Sequence, residues 1–172
     1  MTDTKISADV EKTALEGAES GFVAPAALRD GLQRVVVDMI NLQLVGKQAH
    51  WNVVGPNFRD LHLNLDEVVG IAREGADALA ERLRALHATV DGRVETVAEA
   101  TSLAEFEPGE IYTHDAIDLI VKAIEQVVRT MREVHDPIDE ADPTTADLLH
   151  GYIASLEQQA WFIAAETRKP SA

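Results

Sequence analysis

The chain contains no cysteine. Disulfides and thiolate metal sites are therefore excluded, and any bound metal must rely on imidazole and carboxylate. The same absence fits a reducing cytoplasm, which is the expected compartment. Positive charge is scarce: 15 Lys and Arg stand against 30 Asp and Glu, for a formal net charge of −15. A domain so acidic has no general attraction for nucleic acid or anionic lipid, both polyanions, and cations are its natural partners. No apolar run approaches the roughly 20 residues of a membrane span, and no charged-then-apolar leader opens the sequence. A soluble, non-exported protein with no membrane partner is expected. Internal repeats and low-complexity segments are also lacking.

What is present suits one domain with a proper core: 172 residues, 46% of them apolar. Residues 1–24 hold Gly17 and Gly21 and no sustained apolar face, and are expected to form a flexible arm ending near Pro25. A first helix is expected over roughly Ala26 to Asn52, with Leu28, Leu32, Val35, Met39 and Leu42 as its buried stripe. From Asn57 onward a second long helix carries Phe58, Leu61, Leu65, Val68, Val69, Ala72, Ala76, Leu79 and Leu83, and Gly55-Pro56 is the turn that starts it. A polar connection from about Thr89 to Tyr112 follows, with a short helix expected at Val97 to Phe106. The third helix begins near His114 and places Ile117, Ile120, Ile124, Val127, Met131 and Val134 at helical spacing. Pro137 removes a donor and crowds the preceding turn, which predicts a kink or an early stop. The fourth helix starts after Asp142-Pro143, with Leu149, Ile153, Leu156, Ala160 and Ile163 inward. Four amphipathic helices and one long middle connection make an all-α, ferritin-like four-helix bundle with a short extra helix in the crossover, over residues 25–168, followed by a short tail at 169–172.

The most informative stretch runs from His50 to Glu81. Its potential ligands are His50, His62, Asp66, Asp77 and Glu81. His62 and Asp66 stand four residues apart, one above the other on a helix, and Asp77 and Glu81 repeat the relation. At about 100° per residue, the span from Asp66 to Asp77 returns to the same stripe after roughly three turns, yet the pairs are about 16 Å apart along the axis. One helix cannot close such a site. An antiparallel copy related by a two-fold axis near Ile71 brings His62 and Asp66 of one chain opposite Asp77 and Glu81 of the other, giving two identical sites per dimer. Gly70 and Gly75 flank that crossing and are expected to allow close backbone approach.

These residues stand in the segments HWNVVGPNFRDLHLNLDE, from His50, and DALAER, from Asp77. Both closely resemble the Dps family, the ferritin-like mini-ferritins of starved or oxidatively stressed bacteria. The resemblance covers about residues 25 to 168 and implies a ferroxidase centre with two iron positions (Fe2+/Fe3+) shared between two subunits. Asp66 and Glu81 are then the main carboxylate ligands, His50 and His62 the imidazole ligands, and Asp77 binds or orients a water at the second iron. Trp51 is either a packing aromatic or, as in the family, a residue beside the iron that absorbs stray oxidising equivalents. The resemblance further implies a hollow homododecamer with 23 symmetry. Ferrous ions enter it through acidic pores, are oxidised by hydrogen peroxide in preference to dioxygen, and are stored as a ferric oxyhydroxide mineral. The Glu-x-x-His motif of ordinary ferritins and bacterioferritins occurs nowhere in the chain.

In a Dps shell the region of Asp136, Asp139, Glu140, Asp142 and Asp147 lines three-fold pores, and Asp139, Glu140, Asp142 and Asp147 are the pore candidates. A solvated helix end is the plainer reading of that acidic run. Trp161 resembles the family's C-terminal tryptophan and is expected to pack in the core. His87, His114, His135 and His150 carry no recognisable spacing and are assigned surface or capping roles. A metal-dependent amidohydrolase acting on N-acyl amino acids is the alternative from another class, because a carboxylate and imidazole site with an open position can polarise an amide and activate water. No dedicated acyl pocket is legible for it. A purely DNA-compacting role is opposed by the arm, where Lys5 and Lys12 are outnumbered by Asp3, Asp9, Glu11, Glu16 and Glu19. DNA binding is expected to be weak or absent.

Overall fold

The computed structural model describes residues 21–169. Four long helices carry the fold: α1 (Ala26–Asn52), α2 (Phe58–Ala85), α4 (Thr113–Ala141) and α5 (Pro143–Ala165), with the short α3 (Val94–Ala100) in the crossover. Helix α1 packs on α2 and α4, and α5 packs on α2 and α4. Their apolar stripes meet in one core, in which Leu28, Leu32, Met39, Leu42, Leu61, Leu65, Leu79, Leu83, Ile120, Ile124, Met131 and Ile138 are fully buried. At about 1.5–3 kcal/mol for each large apolar side chain, that burial is the main force holding four helices together. No helix among the described residues is long and apolar enough to cross a membrane. Residues 1–20 and 170–172, with most of the expected arm and tail, lie outside the described residues. Ala24, placed in the arm by sequence, is already buried, and its N–H donates to the Leu86 carbonyl at 3.1 Å.

Two short parallel strands, β1 (Val53–Val54) and β2 (Ile111–Tyr112), pair Val53 with Ile111 and Val54 with Tyr112. They tie the turn after α1 to the far end of the crossover. Between them the chain passes Gly55 at φ 123° and Asn57 at φ 58°, left-handed conformations that glycine and asparagine adopt at least cost. This reversal sets α2 beside α1. His87, at φ 63° just beyond α2, terminates that helix in the same way and so has the capping position expected of it.

The crossover departs from expectation. Its helix is Val94–Ala100, ending before the anticipated Phe106. The cause is Asp38, a carboxylate 1% exposed within the apolar stripe of α1. It accepts from the Ser102 N–H at 2.7 Å, the Ser102 hydroxyl at 2.6 Å, the Thr101 hydroxyl at 3.2 Å and the Thr130 hydroxyl at 2.8 Å. The Ser102 N–H is thereby drawn out of any helical ladder. At the other end Asp91, held below the usual carboxylate range by hydrogen bonds from Arg93 and Thr96, brackets the helix start.

Pro137 does not stop α4, which continues to Ala141. It lies on the exposed side, where water can serve the carbonyl that loses its donor, while Ile138 is anchored in the core. Gly75 also differs from expectation. A Cβ there would lie 2.1 Å from Met39 Cε and 3.1 Å from the Tyr152 ring, so this glycine faces the chain's own core and not a neighbouring copy. Gly70 has open space around it and remains available to such a crossing. Trp161, expected in the core, is 62% exposed and lies against Phe162 with ring centroids 4.9 Å apart.

Replacing Asp38 with alanine leaves the Ser102 N–H and the Thr130 hydroxyl without their acceptor. At about 1–3 kcal/mol for each buried polar group left unpaired, a loss of roughly 2–4 kcal/mol is expected in urea denaturation. Faster proteolysis within residues 101–110 should accompany it, and unchanged stability would show that the tie is dispensable.

Candidate metal centre

His50 sits in the last turn of α1 and His62 in the second turn of α2. Their imidazoles stack with centroids 3.6 Å apart and planes 24° from parallel. Each ring reaches the other's backbone: His50 Nδ1–H donates to the His62 carbonyl at 3.0 Å, and His62 Nδ1–H donates to the His50 carbonyl at 3.1 Å. A carbonyl can only accept, so both Nδ1 atoms carry hydrogen and a neutral ring keeps its lone pair on Nε2. The clasp therefore fixes one tautomer and leaves each Nε2 as the nitrogen free to ligate, while His50 Nδ1 also lies 3.4 Å from Asp66 Oδ1. It also satisfies a carbonyl in the last turn of α1, where the helix provides no donor.

Asp66 completes the group, with ligating atoms of His50, His62 and Asp66 all within 4.8 Å of one another. His50 is buried, His62 half-buried and Asp66 exposed, so the group opens outward from the hairpin. Two nitrogens and a carboxylate oxygen suit ferrous iron, manganese or zinc. Lys47, one turn before His50, was not singled out from sequence. Its ammonium donates to Asp66 Oδ1 at 2.5 Å. That hydrogen bond, assisted by the Lys47 charge and the neighbouring imidazoles against some burial, holds Asp66 below the usual carboxylate range. Asp66 is thus ionised and partnered before any metal arrives. The i, i+3 spacing of Lys47 and His50 on one helix was the available signal.

The remaining expected ligands stay apart from this group. Asp77 and Glu81 are both exposed farther along α2, and the three-residue cluster does not include them. Asp77 lies toward Tyr152, whose phenol is raised by burial and then by the Glu74 and Asp77 charges. Trp51 is 71% exposed and borders a groove shared with Leu44, Gln48, Leu103 and Phe106. Among the pore candidates Asp139, Glu140 and Asp147 are exposed. Asp142 is bound within the chain, to Arg82 at 2.6 Å and to the Thr145 hydroxyl, at the start of α5. These contacts hold it below the usual carboxylate range despite burial, the largest opposing cause.

A four-helix bundle with a long crossover and an imidazole–carboxylate cluster defines a ferritin-like protein, and residues 29–171 match the ferritin-like domain family. The chain is 35% identical over 142 residues to the DNA protection during starvation protein of Agrobacterium fabrum, spanning 81% of this chain and 87% of that one. It is 34% identical over 135 residues to DNA protection during starvation protein 2 of Deinococcus radiodurans, spanning 78% of this chain and 56% of that one. Among solved structures, Dps from Microbacterium arborescens in the high iron form matches with a TM-score of 0.79 at 37% identity, covering 85% of this chain and 98% of that one. A Dps of Deinococcus radiodurans matches at 0.80 with 30% identity, covering 84% and 87%. The chain belongs to the Dps family.

Lys47→Met should free Asp66 from its internal counter-ion. Divalent-metal affinity, read by cobalt titration, is then expected to rise up to about fivefold, the equivalent of the about 0.2–1 kcal/mol of an exposed ion pair. Weaker binding would instead make Lys47 part of the ligand support.

Proposed function

We propose that this protein is a Dps-type ferroxidase that oxidises Fe(II), preferably with hydrogen peroxide, and stores Fe(III) as a mineral inside a hollow dodecamer. The observation that carries the reading is the reciprocal His50–His62 clasp, which holds two imidazoles beside Asp66 in the tautomer that ligates metal. Three ligands on one chain make half of a two-iron site. Asp77 and Glu81 of a two-fold related copy supply the rest, Asp77 acting on a water at the second iron. The separation of the two ligand groups in the single chain supports that sharing.

The chemistry balances without radical release. Two ferrous ions each give one electron to one peroxide; the O–O bond breaks, two protons are taken up, and two ferric ions and two waters result. Hydrolysis of the ferric product then yields oxyhydroxide on the acidic inner wall. Trp51, next in sequence to His50, is the residue proposed to absorb stray oxidising equivalents. Cation entry is assigned to Asp139, Glu140 and Asp147, with Asp142 holding the frame of the pore through Arg82. The net charge of −15 supports cation attraction and a weak or absent affinity for DNA. Action in the cytoplasm fits the absence of cysteine.

Anaerobic ferrous loading followed by peroxide tests the reading, with oxidation and particle mass followed together. Two irons oxidised per peroxide in a twelve-chain particle is the expected result. His62→Ala should lose fast oxidation, by about 100-fold, while the bundle stays folded, because the half-buried His62 and its clasp lie outside the apolar core. Normal rates in that variant would sink the assignment.

A further inference from the structure

Sequence spacing assigns His135 and His150 no joint role, yet the bundle brings them face to face. His135 lies near the end of α4 and His150 in the second turn of α5, on opposite sides of the break at Asp142-Pro143. Their Nε2 atoms are 2.7 Å apart, with ring centroids at 4.6 Å and planes inclined by 32°. Behind each ring stands a carboxylate: Asp136 Oδ1 is 3.0 Å from His135 Nδ1, and Asp147 Oδ1 is 3.6 Å from His150 Nδ1. The pair borders a surface recess together with Arg132 and Glu157, which are ion-paired with each other. Asp136, Asp147 and Glu157 outweigh the single guanidinium there, so the surroundings favour a cation.

We propose that His135 and His150 form a second metal-binding site, separate from the His50–His62–Asp66 centre, for a first-row divalent ion that prefers nitrogen ligands at right angles, such as Ni2+ or Cu2+. The geometry selects this class. At metal–nitrogen distances of about 2.0–2.1 Å, nitrogens 2.7 Å apart subtend about 80–85° at the ion, close to the cis angle of tetragonal and octahedral coordination. A tetrahedral ion sets them roughly 3.4 Å apart, which requires the two rings to separate.

Proton placement agrees with this. The Asp136 carboxylate can only accept, so His135 carries its hydrogen on Nδ1 and presents an Nε2 lone pair. His150 then donates Nε2–H across the 2.7 Å contact. When a metal enters, it takes the place of that shared hydrogen, which moves to His150 Nδ1, where Asp147 accepts it. Each imidazole then has metal on Nε2 and a carboxylate on Nδ1, the arrangement that orients histidine ligands and strengthens them as donors. The remaining positions fall to water. The site shares no residue with the first centre, while Asp147, assigned above to cation entry, stands behind its second ring.

The test is equilibrium dialysis of the full-length, tag-free protein against Ni2+, read as ions bound per chain. The His62→Ala protein is the parent, so that the first centre is already impaired. Adding His150→Ala should remove one bound Ni2+ per chain, and adding His150→Gln should do the same. Asp147→Asn should keep the site but weaken it by roughly tenfold, as loss of a carboxylate behind a ligating imidazole does. His150 is 59% exposed at its side chain, so its loss leaves the core intact, and far-UV circular dichroism checks this. Equal Ni2+ binding with and without His150 would overturn the proposal and leave the pair as an imidazole–imidazole hydrogen bond only.

Discussion

The mutual hydrogen bonding of His50 and His62 is the constraint on which the centre depends. It works because α1 ends where it does. Helix α1 gives way to the extended Val53–Val54, so the His50 carbonyl loses its helical donor and takes one from the side chain of the next helix. The same contact that closes a helix end thereby spends the Nδ1 hydrogen of each ring and leaves Nε2 of a neutral ring unprotonated. Helix termination, hairpin geometry and ligand tautomer are one arrangement. Gly55 and Asn57 make the reversal that permits it, and the pairing of Val53 with Ile111 holds that reversal against the crossover.

Much of this was legible in the sequence because it is periodic. The stripes of α1, α2, α4 and α5 repeat at helical spacing over many turns, so the starts of these helices follow to within a residue or two. The nearness of three candidate ligands, His50, His62 and Asp66, was legible because they lie within one hairpin, where sequence distance translates directly into space. Gly75 shows how a correct period can still be misread. The series Leu61, Leu65, Val68, Ala72, Leu79 alternates in steps of four and three and passes through position 75, which places it on the core face. Its small size invited an assignment to a helix crossing, which the nearness of Met39 and Tyr152 excludes at this position.

What could not be read depends on contacts between distant segments. Asp38 interrupts an apolar run and resembles an error until Ser102 and Thr130 arrive from the crossover and α4 to share its carboxylate. It decides where α3 stops. Pro137 breaks a local rule and is overruled by the core contact of the next residue. His135 and His150 meet only because α4 and α5 pack antiparallel across the Asp142-Pro143 turn, and no local spacing encodes that meeting.

The clasp also has a bearing on the order in which the molecule takes shape. His50 and His62 are separated by only 12 positions, whereas the Asp38 ties to Ser102 and Thr130 span 64 and 92. The entropy lost on closing a loop grows with its length, and local contacts form soonest. Closing the hairpin that brings the two imidazoles and Asp66 together therefore costs less chain entropy than making the Asp38 ties. The candidate ligand cluster thus rests on near neighbours in the chain, and the crossover on distant ones.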